Sequence, residues 1–407
     1  SLNTAYLLER LSQTLERLET LMAIFVSNRY LPRRILLLTG CFARAAAERH
    51  SISRLWKQSS GLMARSVTQN AGDHGEHYIT RDKKEYWAMF YSAAGGGVLI
   101  ALMALFKIYL GSIIDDKVWK GIAEGLNYGL GFMVIFMLHF TVATKQPAMT
   151  AARFAEAVEK TPQGKTVNMK LAQLLVDVFR SQSIAVLGNV LIAMGLAALI
   201  AFGYQYKTGE PLMNADQIAY QLHSIDPFAG TLWFAAIAGV WLFCSGIISG
   251  YFDNRSNYLN MRMRLAQHPL LKKLMSEKTR VKFANYMHEN YGSLIGNLCF
   301  GMLLGITGVV GYLTHLPLDI RHVAFSSANV GYIAVSGQFT YSLLLQCISF
   351  VLLIGLVNLI VSFSLTLWVA LRSLNAEIDS WWPIWHEVCQ IVKKRPLSLF
   401  LPIQLDK

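Results

Sequence analysis

The sequence predicts an all-α protein: an integral membrane helical bundle of six transmembrane helices, with a helical cytoplasmic N-terminal region. Three observations predict it. Of 407 residues, 54% are hydrophobic and only 15% charged, against roughly 25% charged in ordinary globular domains. Several uninterrupted apolar stretches approach the length of a bilayer crossing. Lysine and arginine are rich in every second connection between those stretches and sparse in the others.

In chain order, residues 1–86 read as a cytoplasmic helical domain. Leu8, Leu11, Leu15, Leu18, Met22 and Phe25 follow the 3,4 spacing of an amphipathic helix, which Pro32 ends. The chain opens on Ser1, so this domain is expected to be the C-terminal part of a longer N-terminal region. Residues 87–371 hold the six crossings, roughly Trp87–Ile114, Ile122–Ala143, Ser183–Gly203, Phe228–Tyr251, Tyr291–Leu313 and Tyr341–Leu371. The last would be about 46 Å long at 1.5 Å per residue, so it must tilt in a ~30 Å hydrocarbon core. Residues 144–182 and 252–290 read as cytoplasmic helical insertions. In the first, Val167, Leu171, Leu174, Leu175 and Val178 make an apolar face. Residues 372–407 form an interfacial and cytoplasmic tail, anchored by Trp381, Trp382 and Trp385 ahead of Lys393-Lys394-Arg395.

The charges orient this arrangement. Residues 1–86 carry 13 Lys and Arg; the five connections carry 2, 6, 1, 8 and 1, and the tail 5. Cytoplasmic loops are enriched in these residues, so both termini are expected in the cytoplasm. The net charge of +12 then marks anionic membrane lipids as partners, and nucleic acid is not expected. Of five cysteines, Cys244, Cys299 and Cys347 lie in apolar stretches and none forms a Cys-x-x-Cys pair, which supports neither disulfides nor a zinc ribbon.

Motifs for soluble catalysis fail on inspection. Gly164-Lys165-Thr166 lacks the first glycine of a phosphate loop, Glu159 standing in its place. His288-Glu289 and His386-Glu387 lack the second histidine of a zinc protease helix. No catalytic residue and no cofactor is expected. His74, Glu76 and His77 form the tight His/acid cluster that could offer metal ligands, though too few by themselves; a polar juxtamembrane turn is the competing reading.

Polar residues inside the crossings are costly unless satisfied. Asn127, His139, Asn189, Asn297, Gln346 and Asn358 are of this kind, either bonding across helices or lining a polar path. Glu124 sits at an edge, and His139 would be the deep titratable relay. Glycines recur at packing spacing: Gly121, Gly125 and Gly129; Gly246 and Gly250; Gly292 and Gly296; Gly301 and Gly305.

Two connections stand out. After the second crossing, Lys145 and Gln146 precede Pro147, a helix breaker, and could form an anion site; a helix stop with a snorkelling lysine is the alternative. Between the fifth and sixth crossings, His315–Thr340 is long, apolar and poor in charge, with Asp319, Arg321, His322, Ser326 and Asn329. It is expected to pack against the bundle on the outer side and dip in where protein buries its backbone.

Gly75–Thr80, Ala143–Ala151, Tyr251–Asn254 and Asp319–Ser327 resemble a family of bacterial polytopic membrane proteins labelled "site-specific recombinase". The resemblance covers most of the chain and implies the inner membrane of a Gram-negative bacterium. It carries over no catalytic residues. A tyrosine recombinase needs a His-x-x-Arg pair to hold the scissile phosphate, and none of the ten histidines has arginine three residues on. The sequence therefore points first to transport, conduction or envelope-lipid handling through a polar path. A membrane-anchored assembly protein, docking a partner through residues 1–60 and 255–290, is the second reading, and recombination as labelled is the third.

Overall fold

The computed structural model describes residues 79–80, 82–143, 146–159, 165–336, 339–373, 378 and 380–401, with scattered positions between 11 and 43. Contacts divide the chain into Ser1–Gly61 and Leu62–Lys407. In the first unit, Leu11, Leu15, Leu18 and Met22 are helical and each is more than half exposed.

The second unit has twelve α-helices and no strand among the described residues: α1 (Lys83–Ile113), α2 (Lys117–Met137), α3 (Gln146–Glu159), α4 (Lys165–Thr208), α5 (Ala215–Ile225), α6 (Thr231–Tyr258), α7 (Met261–Gln267), α8 (Pro269–Leu274), α9 (Glu277–Thr314), α10 (Val323–Ala334), α11 (Tyr341–Ser373) and α12 (Trp382–Lys394). Local chemistry sets their starts. Asp82 caps α1 by accepting from Glu85 N–H, and Asp116 caps α2 by accepting from Val118 and Trp119 N–H. Asn214 and Gln217 close a reciprocal capping box on α5.

The all-α membrane bundle is present. Helices α1, α4, α6, α9 and α11 are long and apolar enough to cross a bilayer. A belt of exposed apolar side chains surrounds them, including Leu102, Phe106, Leu191, Leu199, Leu352 and Ile360. The expected second crossing differs from the others. Lys120, Glu124 and Asn127 dilute α2, which also begins five residues earlier than expected and stops at Met137. His139, expected deep in that crossing, instead lies exposed beyond its end with φ of 57°. The insertion 144–182 is not separate from the third crossing either. No Gly or Pro occurs between 165 and 187, so α4 runs unbroken for 44 residues, about 66 Å.

Neighbour relations fix the directions. Gly121, Gly125 and Gly129 of α2 lie against Val309, Gly305 and Gly301 of α9, so these two helices are antiparallel. Gly292 and Gly296 of α9 lie against Ser249 and Asp253 of α6 in the same sense. Helices α1, α4 and α9 thus run one way, and α2, α6 and α11 the other. We call the end that carries residues 114–116 and α5 the α5 end, and the other the α3 end. The main core gathers Ile100, Tyr128, Phe132, Phe300, Leu304, Phe325 and Tyr332. A second core at the α3 end joins Phe154 of α3, Leu171 of α4, Leu367 and Ala370 of α11, and Ile384 of α12.

The stretch His315–Thr340 is not irregular throughout. Residues 316–322 descend along α9, Leu318 reaching Gly311, and α10 then lies inside the bundle. Ten of its twelve residues are buried. Its side chains are apolar or small on every side, so no amphipathic period marks it in the sequence.

Candidate functional site

Helix α10 positions the site. Its first N–H, from Val323, donates to Asn358 Oδ1 at 3.1 Å, and Tyr332 Oη donates to Ala101 O at 2.7 Å. These bonds satisfy a buried helix start and pin the far end to mid-α1. Between α10, α1, α2 and α5 lies a cavity of about 480 Å³ at the α5 end.

Three cations (Lys107, Lys120, Arg321) and three anions (Glu124, Asp216, Asp319) line it. Lys107 Nζ stands 3.4 Å from Glu124 and over the Tyr128 ring at 5.6 Å. Arg321 is held on several sides: Asp319 Oδ2 at 2.6 Å, Ser224 O at 2.8 Å, Ile320 O at 2.7 Å, and the Phe234 ring at 5.4 Å. His322 forms the floor, only 1% exposed, with the rings of Phe132, Phe300 and Phe325 around it at 5.8–6.2 Å. Ser326 and Asn329, one turn apart on α10, add polar wall. The arrangement pairs both signs of charge and several neutral hydrogen-bonding groups with an aromatic floor. Chemically it can hold a small polar solute with complementary charges.

The expected site residues divide as follows. Asp319, Arg321, His322, Ser326 and Asn329 meet in the cavity. Asn127 lies behind it, donating to Met103 O at 2.9 Å. Asn189 and Asn358 are buried clamps between helices. Asn297 is buried on α9 and donates to Ser293 O within its own helix. Gln346 is exposed on the outside of α11, and His139 is exposed at the break after α2, so neither faces the cavity. Lys145 lies outside the described residues, as do the side chain of Gln146 and the whole of His74, Glu76 and His77. Among the described residues no group of metal-ligating side chains comes together.

Lys107, Lys120, Glu124, Tyr128, Asp216, Gln217 and Tyr220 also line the cavity and are not among the expected site residues. One signal was available. A lysine inside one apolar stretch and a glutamate inside the next, joined by the tight turn at Asp115-Asp116, must face each other near one membrane end.

A family model described as Site-specific recombinase matches residues 1–402. No curated protein and no solved structure is detectably similar to the chain.

Proposed function

The chain belongs to the site-specific recombinase family, and we propose that it is a membrane transport protein that binds a small polar or zwitterionic solute in the α5-end cavity. One observation carries this reading: a charge-balanced cavity of about 480 Å³ beside a helix that dips into an apolar bundle. Non-helical backbone at such depth is tolerated where it lines a cavity or is buried in protein, and intramembrane charges mark substrate paths. Asp319 and Arg321 on residues 316–322 would orient the solute, Lys107 and Glu124 would complement its charges, and His322 would close the floor.

The setting we propose is a bacterial inner membrane with the α3 end and both termini in the cytoplasm. The described parts of the Lys- and Arg-rich connections, α3 with the start of α4 and α7 with α8, lie at that end. Arg262, Arg264, Lys272, Lys273, Lys278 and Lys282 are exposed there, which supports contact with anionic headgroups. The same charges beside an apolar belt, with no His-x-x-Arg pair, weigh against DNA strand exchange.

The test is uptake by proteoliposomes holding the full chain, with radiolabelled amino acids and inorganic phosphate as probes. Saturable uptake of at least one probe is expected, reduced about tenfold in Arg321→Ala and Glu124→Gln, a change equivalent to one lost charged hydrogen bond. Flux no greater than in protein-free vesicles for every probe would count against the reading. A supercoiled plasmid nicked or rejoined by the purified protein would favour the family's namesake chemistry.

A further inference from the structure

Two clamps in different halves of the chain are built alike. In the first, Thr141 N–H donates to Ser92 O at 3.2 Å, and the Asn189 amide donates to Ala93 O at 2.5 Å and Thr141 O at 2.9 Å. Asn189 Oδ1 accepts from Ala143 N–H at 2.8 Å. In the second, Arg321 N–H donates to Phe234 O at 3.2 Å, and the Asn358 amide donates to Ala235 O at 2.7 Å and Arg321 O at 3.0 Å. Asn358 Oδ1 accepts from Val323 N–H at 3.1 Å. All four bonds join corresponding positions. Four residues beyond the helix acceptor, Gly97 and Gly239 each leave a Cβ no room, at 2.9 Å from Asn189 O and 3.0 Å from Asn358 O.

The correspondence pairs α1 with α6, α2 with α9, α3 with α10 and α4 with α11. The 180-residue step from Thr141 to Arg321 also carries Gly121 onto Gly301 and Gly125 onto Gly305. Gly125 meets Gly305 where α2 crosses α9. The contact of Gly121 with Val309 maps, under the same step, onto that of Gly301 with Gly129, and both are present. Such reciprocity is what a two-fold axis through the crossing requires. The short helices are exchanged: α10 packs on α4, and α3 packs on α11. Because α1 and α6 run in opposite directions, the axis lies across the bundle and the repeats are inverted.

We infer that the chain is an inverted-topology repeat whose solute cavity opens alternately at its two ends. The inference rests on the transport reading above and specifies its mechanism. Inverted repeats with broken helices allow one set of contacts to serve two states, each seam opening as its counterpart closes. Here the α1–α2 seam holds the open cavity. Its counterpart, α6–α9, is sealed: Asp253 Oδ1 accepts from Gly292 N–H at 2.7 Å, Ser249 fills the space over Gly292 and Gly296, and Ser256 Oγ is within 3.1 Å of His288 Nδ1. In the other state this seam parts and the α1–α2 seam closes.

Spin-label distance measurements on the full chain in lipid nanodiscs test this. Cys41, Cys244, Cys299, Cys347 and Cys389 are replaced by alanine. One label pair, Trp119→Cys with Ala215→Cys, spans the α5 end; the other, Tyr258→Cys with Lys282→Cys, spans the α6–α9 seam. All four positions are exposed. Each pair is expected to show two distances. Asp253→Ala should raise the longer-distance population at Tyr258/Lys282 severalfold and the shorter one at Trp119/Ala215. Asp253→Asn, a milder change, should move both in the same senses by less. A single distance at each pair, or movement of one pair without the other, overturns the inference. Solute flux with invariant distances would make the protein a channel, sinking alternation while sparing the transport reading. Exchanging distances without flux of any probe would do the reverse.

Discussion

The α1–α2 and α6–α9 seams are made of corresponding helices, yet one holds a cavity and the other is shut. The difference lies in what each presents to its partner. Along α6–α9, glycine faces serine, and Ser249 lies within the space a side chain at Gly296 would take. Along α1–α2, the neighbour of Gly111 is the Lys120 ammonium, at 3.1 Å, and Lys107 and Glu124 stand between the helices. In lipid the hydrophobic effect does not drive helices together, so small residues decide how close they come. Lys107 and Glu124 meet each other beside the water-accessible cavity, whereas Asp253 of the other seam is drawn onto Gly292 N–H and closes it. Similar backbones are thus set open or closed by a few side chains.

The largest effect is expected at the crossing of α2 and α9. Gly301 and Gly305 have the backbones of Gly129 and Gly125 where a Cβ would go, whereas Gly195 and Gly203 have nothing within 4 Å. Gly301→Leu and Gly305→Leu should leave no monodisperse protein on size-exclusion chromatography, while Gly195→Leu and Gly203→Leu should match the parent profile. Next come the clamps. Asn189→Ala and Asn358→Ala each remove three hydrogen bonds from a buried site, at a cost of about 2 kcal/mol at the modest value per bond found within membranes. If the clamps are equivalent, thermal unfolding in detergent should fall by similar amounts in both variants.

The open seam offers a third test. Lys107→Met leaves Glu124 without its ion-pair partner beside Tyr128, at a cost of about 1–2 kcal/mol, since water reaching the cavity softens the burial. The double variant Lys107→Met/Glu124→Leu should be more stable than Lys107→Met alone. Equal or additive losses would mean that the pair does not set the stability of the seam.

Much of this was legible in residues and some was not. The long apolar helix α11 begins at Tyr341, as its unbroken run of Leu, Ile, Val and Phe implies, and α1 likewise follows its apolar run. Asp319, Arg321, His322, Ser326 and Asn329 stood out because polar residues in an apolar connection need a reason, and they share the cavity. The break after α2 was harder to see. No Gly or Pro lies at 136–140; His139 takes a left-handed backbone because Asn189, far along the chain, captures residues 141–143. Burial hid α10, since a helix covered all round shows no apolar stripe. The internal repeat was equally concealed. Its signature is bonding geometry and glycine placement, while the side chains facing lipid or cavity have diverged, Glu124 standing opposite Leu304 and Tyr128 opposite Gly308 under the 180-residue step.

A small difference is expected between two matched hydrogen bonds. Under that step Asn127 corresponds to Thr307, and each bonds to the first helix of its own repeat. Asn127 donates to Met103 O at 2.9 Å, and Thr307 Oγ1 accepts from Trp241 Nε1 at 2.8 Å. Their surroundings differ: Thr307 is 5% exposed in the sealed seam, whereas Asn127 is less buried, behind the cavity. Water from the cavity can take the place of the Asn127 amide, whereas the Trp241 N–H, bonded to the buried Thr307 hydroxyl, lies away from the cavity lining. Asn127→Ala should therefore cost about 0.6 kcal/mol and Thr307→Val about 1 kcal/mol, the latter leaving a buried donor unmet. If thermal unfolding shows Asn127→Ala to be the more damaging, the α1–α2 seam is the drier of the two, and the assignment of open and closed seams must be exchanged.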